Sequence, residues 1–381
     1  MKQTLLTFLL IFSSLYSYAG TSTLKSFNED WKFYKGKQQG AESPSFDDSQ
    51  WRTLDLPHDW AIEGPFSIDY NARTGGLPFH GTAWYRKEFF IKASEEGRII
   101  NLIFDAAMSN STVWVNGKEL GFRPFGYIAF KYDISEHIKY GAKNTVAVRL
   151  QPEDHSSRWY PGAGLYRNVW ISSDCKAHIP HWGTFITTPT VTKALAVAQV
   201  ETEIENKFPT PQNLTLQYTL YNKDNKLVAK QTEEIAIAPK ATVKAGCFLN
   251  IKNPLLWDIE NPHLYTLKTK MLSRDTPIDE TITTFGVRHI TWDPDGFYLN
   301  GQRIRFNGVC LHHDNGPLGG AVYKRADERK LEIMKQMGVN AIRTSHNPPS
   351  PEFLDLCDKI YPMQPYALRI KTETYAPTLT T

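Results

Sequence analysis

Residues 339–359 read Val339-Asn-Ala-Ile-Arg343-Thr-Ser-His346-Asn347-Pro-Pro-Ser-Pro-Glu352-Phe-Leu-Asp-Leu-Cys357-Asp-Lys359. Residues 340–343 read as a short strand and 352–359 as a helix. Just upstream, 327–337 has a helical period, with Leu331, Met334 and Met337 on one side. Before that, 303–310 reads as a strand. Strand, helix, strand, helix is a βα repeat, the unit of a parallel sheet covered by helices. About ninety residues follow Asp293, whereas a closed (β/α)₈ barrel takes about 250. Two or three βα units are therefore expected here.

Further upstream the helical period disappears. From 27 to 173 short strands follow one another. Val113-Trp114-Val115 runs into Asn116-Gly117, a strong hairpin signal. Val146, Val148 and Leu150 alternate with Ala147 and Arg149, as a half-buried strand does. This pattern predicts a β-sandwich. From 177 to 288 a second all-β segment follows. Leu214, Leu216, Tyr218 and Leu220 alternate, and the polar loop 222–226 precedes Leu227-Val228. That fits an immunoglobulin-like sandwich.

The first residues carry Lys2, an apolar run from Leu5 to Phe12, and Ser17-Tyr18-Ala19 as a small-x-small cleavage site. Residues 1–19 read as a secretory signal peptide, and the run is too short to span a bilayer. Export to the periplasm or the medium is expected, with no membrane span. The formal net charge is only +3 across 381 residues, with no basic stripe, so nucleic acid is not expected as a partner. Cys175, Cys247, Cys310 and Cys357 are scattered without Cys-x-x-Cys spacing. They read as free and mostly buried rather than as zinc ligands. Aromatics make up 13% of the chain, enough to serve both β-rich cores and stacking on sugar rings.

Several motifs recur in a telling order: Phe46-Asp-Asp-Ser-Gln-Trp51, Leu56-Pro-His-Asp-Trp60, Trp84-Tyr-Arg-Lys-Glu-Phe89, Trp114-Val-Asn-Gly117, Trp159-Tyr-Pro-Gly-Ala-Gly-Leu-Tyr-Arg167 and Phe285-Gly-Val-Arg288. With 339–359 they resemble glycoside hydrolase family 2, the β-galactosidase and β-glucuronidase superfamily, across nearly all of 25–359. The resemblance implies a multidomain, mostly β fold. Residues 20–176 would be a jelly-roll sugar-binding-type sandwich and 177–288 the immunoglobulin-like sandwich. Residues 289–381 would be the N-terminal fragment of a TIM (β/α)₈ catalytic barrel with an atypical tail.

Active sites of such barrels lie at the C-terminal strand ends. Two clusters fall there: His312, His313 and Asp314 after the first strand, and Arg343, His346 and Asn347 after the second. Imidazoles, amides and carboxylates hydrogen-bond sugar hydroxyls, and a guanidinium orients a neighbouring carboxylate. The resemblance implies sugar-contacting and supporting roles for these residues. It brings Trp159 to the rim of the site, with Asp59 and Trp60 as weaker candidates. Three adjacent ligands rarely converge on one ion, so no metal is expected, and no cofactor. A retaining glycosidase needs two carboxyls about 5–5.5 Å apart. The family's acid/base Glu follows an Asn on a later strand, and no Asn-Glu pair occurs in the C-terminal part. No catalytic acid or nucleophile is assigned, and the chain is expected to stop short of the catalytic glutamates and to be inactive alone.

The expected function is that of an exported β-galactosidase-type glycosidase acting with retention on terminal β-galactosides of oligo- or polysaccharides. Gly308-Val-Cys-Leu-His-His-Asp314 looks more like β-galactosidases than β-glucuronidases. The alternatives are a non-catalytic carbohydrate-binding β-sandwich protein, from another class, and a β-glucuronidase-type family member. The oligomeric state is left open.

Overall fold

The computed structural model describes residues 21–360 and the backbone of a short strand, Leu368–Arg369. The signal-peptide reading of 1–19 and most of the atypical tail lie outside the described residues.

The first sandwich packs a four-stranded sheet on a six-stranded one. The smaller runs Thr23–Ser26, Val169–Asp174, Ile99–Phe104, Phe130–Asp133. The larger runs Arg52–Leu54, Trp31–Lys35, Ala83–Phe90, Lys143–Leu150, Ser111–Val115, Lys118–Arg123. All pairings within them are antiparallel. Inward-facing Trp31, Phe33, Tyr85, Leu102, Phe104, Val113, Val146 and Val148 share one core. Asn116 and Gly117 close the expected hairpin with φ of 51° and 82°, the left-handed pair a tight two-residue turn requires.

One expectation is corrected here. Lys143–Leu150 is not half-buried, because Ala147 is as enclosed as Val146 and Val148. Its outer face is roofed by Trp51, Trp84 and Trp114, with the Arg149 guanidinium over the last two rings at 5.8 and 5.3 Å. The covering residues come from other strands, so local alternation could not show them.

In the second sandwich, Leu195–Asn206 pairs with Ala177–His178, Thr184–Val191 and Thr242–Lys252. The facing sheet runs Leu227–Ile237, Gln212–Tyr221, Leu264–Ser273, Thr276–Gly286. Leu214, Leu216, Tyr218 and Leu220 all enter its core, as their alternation requires.

A three-stranded meander follows: Ile290–Asp293, Gly296–Leu299, Gln302–Ile304. The single strand expected over 303–310 is thus two, since Gln302–Ile304 belongs to the meander and Gly308–Leu311 to a parallel sheet. Asn340 makes the break. Its amide donates to the Arg305 carbonyl and accepts from Asn307 N–H, both at 2.7 Å, satisfying backbone that would otherwise pair in a strand.

Gly308–Leu311, Ala341–Thr344 and Leu368–Arg369 form the parallel sheet. Helix α1 spans Lys324–Gln336 and α2 spans Pro351–Lys359. Ser350 caps α2 by accepting Phe353 N–H at 3.1 Å, and Pro351 occupies the first turn, where its missing N–H costs nothing. Leu331, Val339, Ile342, Phe353, Leu356 and Cys357 make a small core. Cys175 and Cys357 are buried, but Cys247 is half-buried and Cys310 exposed, because Cys310 faces the open side of the parallel sheet.

Candidate functional site

Two loops leave the parallel strands at their C-terminal ends. The first carries His312 and the second His346. Trp159 reaches them from the first sandwich. Its indole stacks on the His312 ring, with centroids 5.1 Å apart and planes 16° off parallel. His346 meets Trp159 edge-on at 5.5 Å and His312 at 6.0 Å. The indole N–H donates to the Tyr127 hydroxyl at 3.2 Å, which fixes the ring. Tyr127 is itself buried, and burial pushes its phenol pKa up.

Arg343 lies opposite Cys310 in the strand register. Its guanidinium lies 3.3 Å from His346 Nδ1 and 3.5 Å from Ser345 Oγ. A guanidinium only donates, so Nδ1 accepts and the imidazole proton sits on Nε2. The Cys310 thiol pKa is lowered by hydrogen bonds from Ser345 and Arg343. Trp159, His312, Arg343 and His346 thus form one mouth. Asn347 lies beneath it, on the wall of a small pocket of about 30 Å³ shared with His312, Arg167 and Asp327.

His313 turns away from this mouth. The His313 ring lies between Tyr127 and Tyr166, at 5.1 and 5.6 Å. Its Nε2 lies 2.9 Å from the Pro161 carbonyl, so it is the protonated nitrogen. Burial, with Arg167 nearby, lowers its pKa to about 3 and keeps the ring neutral. The Asp314 carbonyl accepts from Lys330 Nζ at 2.8 Å, which ties the loop to α1.

The seam holding the mouth together rests on residues that the motifs contained without revealing their task. Asp59 is buried within this seam. Its carboxylate accepts from Ala61 N–H and Ala163 N–H at 3.0 Å, Tyr160 O–H at 2.6 Å and Gly320 N–H at 2.7 Å. Burial raises its pKa against those donors. Gly319 has φ of +59°, and a Cβ there would strike the Asp59 carboxylate and Ile62, so glycine is required. Arg167 donates to the Pro348 carbonyl at 2.8 Å, and Asn168 to Glu352 Oε1 at 2.5 Å. Tyr323 O–H reaches the Pro57 carbonyl at 3.0 Å. Arg167 closes the Trp159–Arg167 motif, the one signal that could have flagged it.

Three models of one family match in register with these units: the sugar-binding domain over residues 24–173, the central family-2 domain over 177–288, and the TIM-barrel domain over 291–363. The chain belongs to glycosyl hydrolase family 2. Among family relatives, the β-galactosidase BoGH2A of Bacteroides ovatus is 45% identical over 338 residues, covering 88% of this chain and 40% of that protein. A putative β-glucuronidase of Formosa agariphila is 38% identical over 338 residues, covering 88% of this chain and 32% of that protein. A family-2 structure from Bacteroides cellulosilyticus superposes with a TM-score of 0.85 at 37% identity, over 91% of this chain and 46% of that one. The chain spans less than half the length of these family members.

Proposed function

We propose that residues 21–360 form the sugar-gripping front of an exported, retaining β-galactosidase-type glycosidase. The observation that carries this reading is the Trp159–His312 stack with His346 at its edge. Two domains supply it, and it stands at parallel strand ends where barrel enzymes work. An indole face takes the apolar face of a pyranose, while imidazole and guanidinium donors take its hydroxyls. Arg343 is suited to hold a carboxylate ionised and oriented. The neighbour named a β-galactosidase is more alike than the one named a β-glucuronidase, 45% against 38%, which favours the galactoside.

Catalysis itself would need a pair of carboxyls about 5–5.5 Å apart, and none of the residues at this mouth, Trp159, His312, Arg343 and His346, is a carboxylic acid. The purified 381-residue chain is expected to bind β-galactosides without turning over a nitrophenyl β-galactoside. A longer chain carrying the same residues and the later glutamates is expected to turn it over with retention. Turnover by the 381-residue chain well above a mock preparation would sink the division of labour. Faster turnover of a nitrophenyl β-glucuronide by the longer chain would move the substrate to that class. Export rests on the leader-like residues 1–19, and periplasmic or extracellular recovery of the chain shortened at its N-terminus tests it.

A further inference from the structure

A second cleft, of about 330 Å³, lies where the first sandwich meets the second. It shares no lining residue with the cavity beneath the mouth. One wall comes from Thr23 and Asp174, the other from Trp182, Glu280 and Thr281.

Trp182 is the feature that needs a reason. It is 57% exposed, so packing does not account for it. Its φ is +67°, a left-handed conformation that crowds the Cβ and is an outlier for a bulky side chain. A tight turn imposes that backbone: Gly183 N–H donates to the Pro180 carbonyl, and Glu203 N–H to the Gly183 carbonyl, each at 2.7 Å. The His181 ring buttresses the indole at 4.5 Å and 63°. Strain kept at an exposed aromatic points to function.

The polar groups around it are set in place beforehand. Asp174 accepts from Ser172 Oγ at 2.6 Å and Asn101 Nδ2 at 3.1 Å. Glu280 is held by Lys268 and Lys270 at 3.1 and 3.3 Å. Each carboxylate has about four acceptor sites, more than these partners use. Among the described residues no Lys or Arg lines the cleft, which disfavours phosphates and acidic sugars.

We propose that this cleft is a carbohydrate-binding site separate from the barrel mouth, stacking one pyranose ring of a neutral β-linked oligosaccharide on Trp182. A pyranose offers an apolar C–H face and a rim of hydroxyl donors. The indole takes the face, and Asp174, Glu280 and the threonine hydroxyls take the rim. The volume lies in the range of small-molecule sites, and such sites favour domain junctions. The choice of ligand class rests on the glycosidase reading above.

Fluorine NMR of the chain labelled with 5-fluorotryptophan separates the two sites. Trp182→Phe and Trp159→Phe assign the two resonances. Titration with β-galactotetraose to about 10 mM should shift the Trp182 resonance saturably, with a dissociation constant about 1 mM. Read by isothermal titration calorimetry in a Trp159→Ala background, which removes the platform at the mouth, Trp182→Ala should weaken that binding at least about tenfold, as loss of a stacking platform does, with the melting temperature unchanged. Asp174→Asn should weaken it less. If only the Trp159 resonance moves, the cleft proposal falls and the proposed function stands. If neither moves, the cleft proposal falls and the carbohydrate reading loses its support. Affinity unchanged in Trp182→Ala also overturns the cleft site.

Discussion

Each of the two sandwiches has its own apolar core, but they meet the barrel strands differently. The first sends buried polar groups across: the Asp59 carboxylate to Gly320, the Arg167 guanidinium to Pro348 and the Pro161 carbonyl to His313. The second touches α2 through the Trp257 indole N–H, 3.2 Å from the Asp358 carbonyl. One sandwich therefore builds the mouth, while the other props the barrel from behind. A β-scaffold acquires a share in a site where its loops, not its core, carry groups that only another domain can satisfy.

That contrast can be broken hardest at Asp59. Asp59→Ala strands the Tyr160 hydroxyl and three backbone N–H groups in a buried seam. It should cost about 3 kcal/mol or more, read as a lower urea midpoint at unchanged slope. A loss under about 1 kcal/mol would mean the seam is not held this way.

Titration sharpens it next. The His313 pKa is about 3 in the fold and about 6.5 unfolded. The unfolded state binds the extra proton, so this group's contribution is lost as pH falls from 6.5 towards 3. Asp105 has the opposite sign. Burial raises its pKa to about 6, so the folded state binds the extra proton, and its contribution grows as pH falls from 6 to about 4. Relative to the parent chain, His313→Gln should gain stability towards acid and Asp105→Asn should lose it, each by about 1.4 kcal/mol per pH unit at most. Parallel curves for parent and variants would remove both assignments.

A smaller, paired test compares the contacts directly. Arg167→Met should cost about 2 kcal/mol and expose 312–360 to protease, whereas Trp257→Phe, losing one N–H, should cost about 1. Equal proteolysis of the two variants would erase the distinction between the sandwiches.

The smallest effect on stability belongs to Arg343→Ala, within about 0.5 kcal/mol because the side chain is exposed. In a longer, active chain the same change should lower kcat more than it raises KM, if Arg343 orients a carboxylate. Activity that falls only in step with the melting temperature would leave Arg343 a structural residue.

Much of this was legible before any coordinates. Asn116-Gly117 announced its hairpin because both positions need φ above zero, and few residue types supply that cheaply. Leu214 to Leu220 announced a strand because one face had to find a core. The strand-loop-helix at 339–359 announced the barrel. Other features were hidden because their cause lies far along the chain. Ala147 is buried under tryptophans of other strands. Asp59 bonds Gly320 across 261 residues. His312 and His313 adjoin in sequence, yet one ring stacks on Trp159 and the other turns into the seam.

Local periodicity and turn chemistry are short-range physics, so the sequence by itself determined the order of strands and helices, the family, and which loops would carry the site's histidines. Which sandwich reaches the mouth, which histidine faces it, and that Asp59 is buried within the seam were decided only by the tertiary structure. The physical reason is that a buried polar group must find its partners wherever the packed chain brings them.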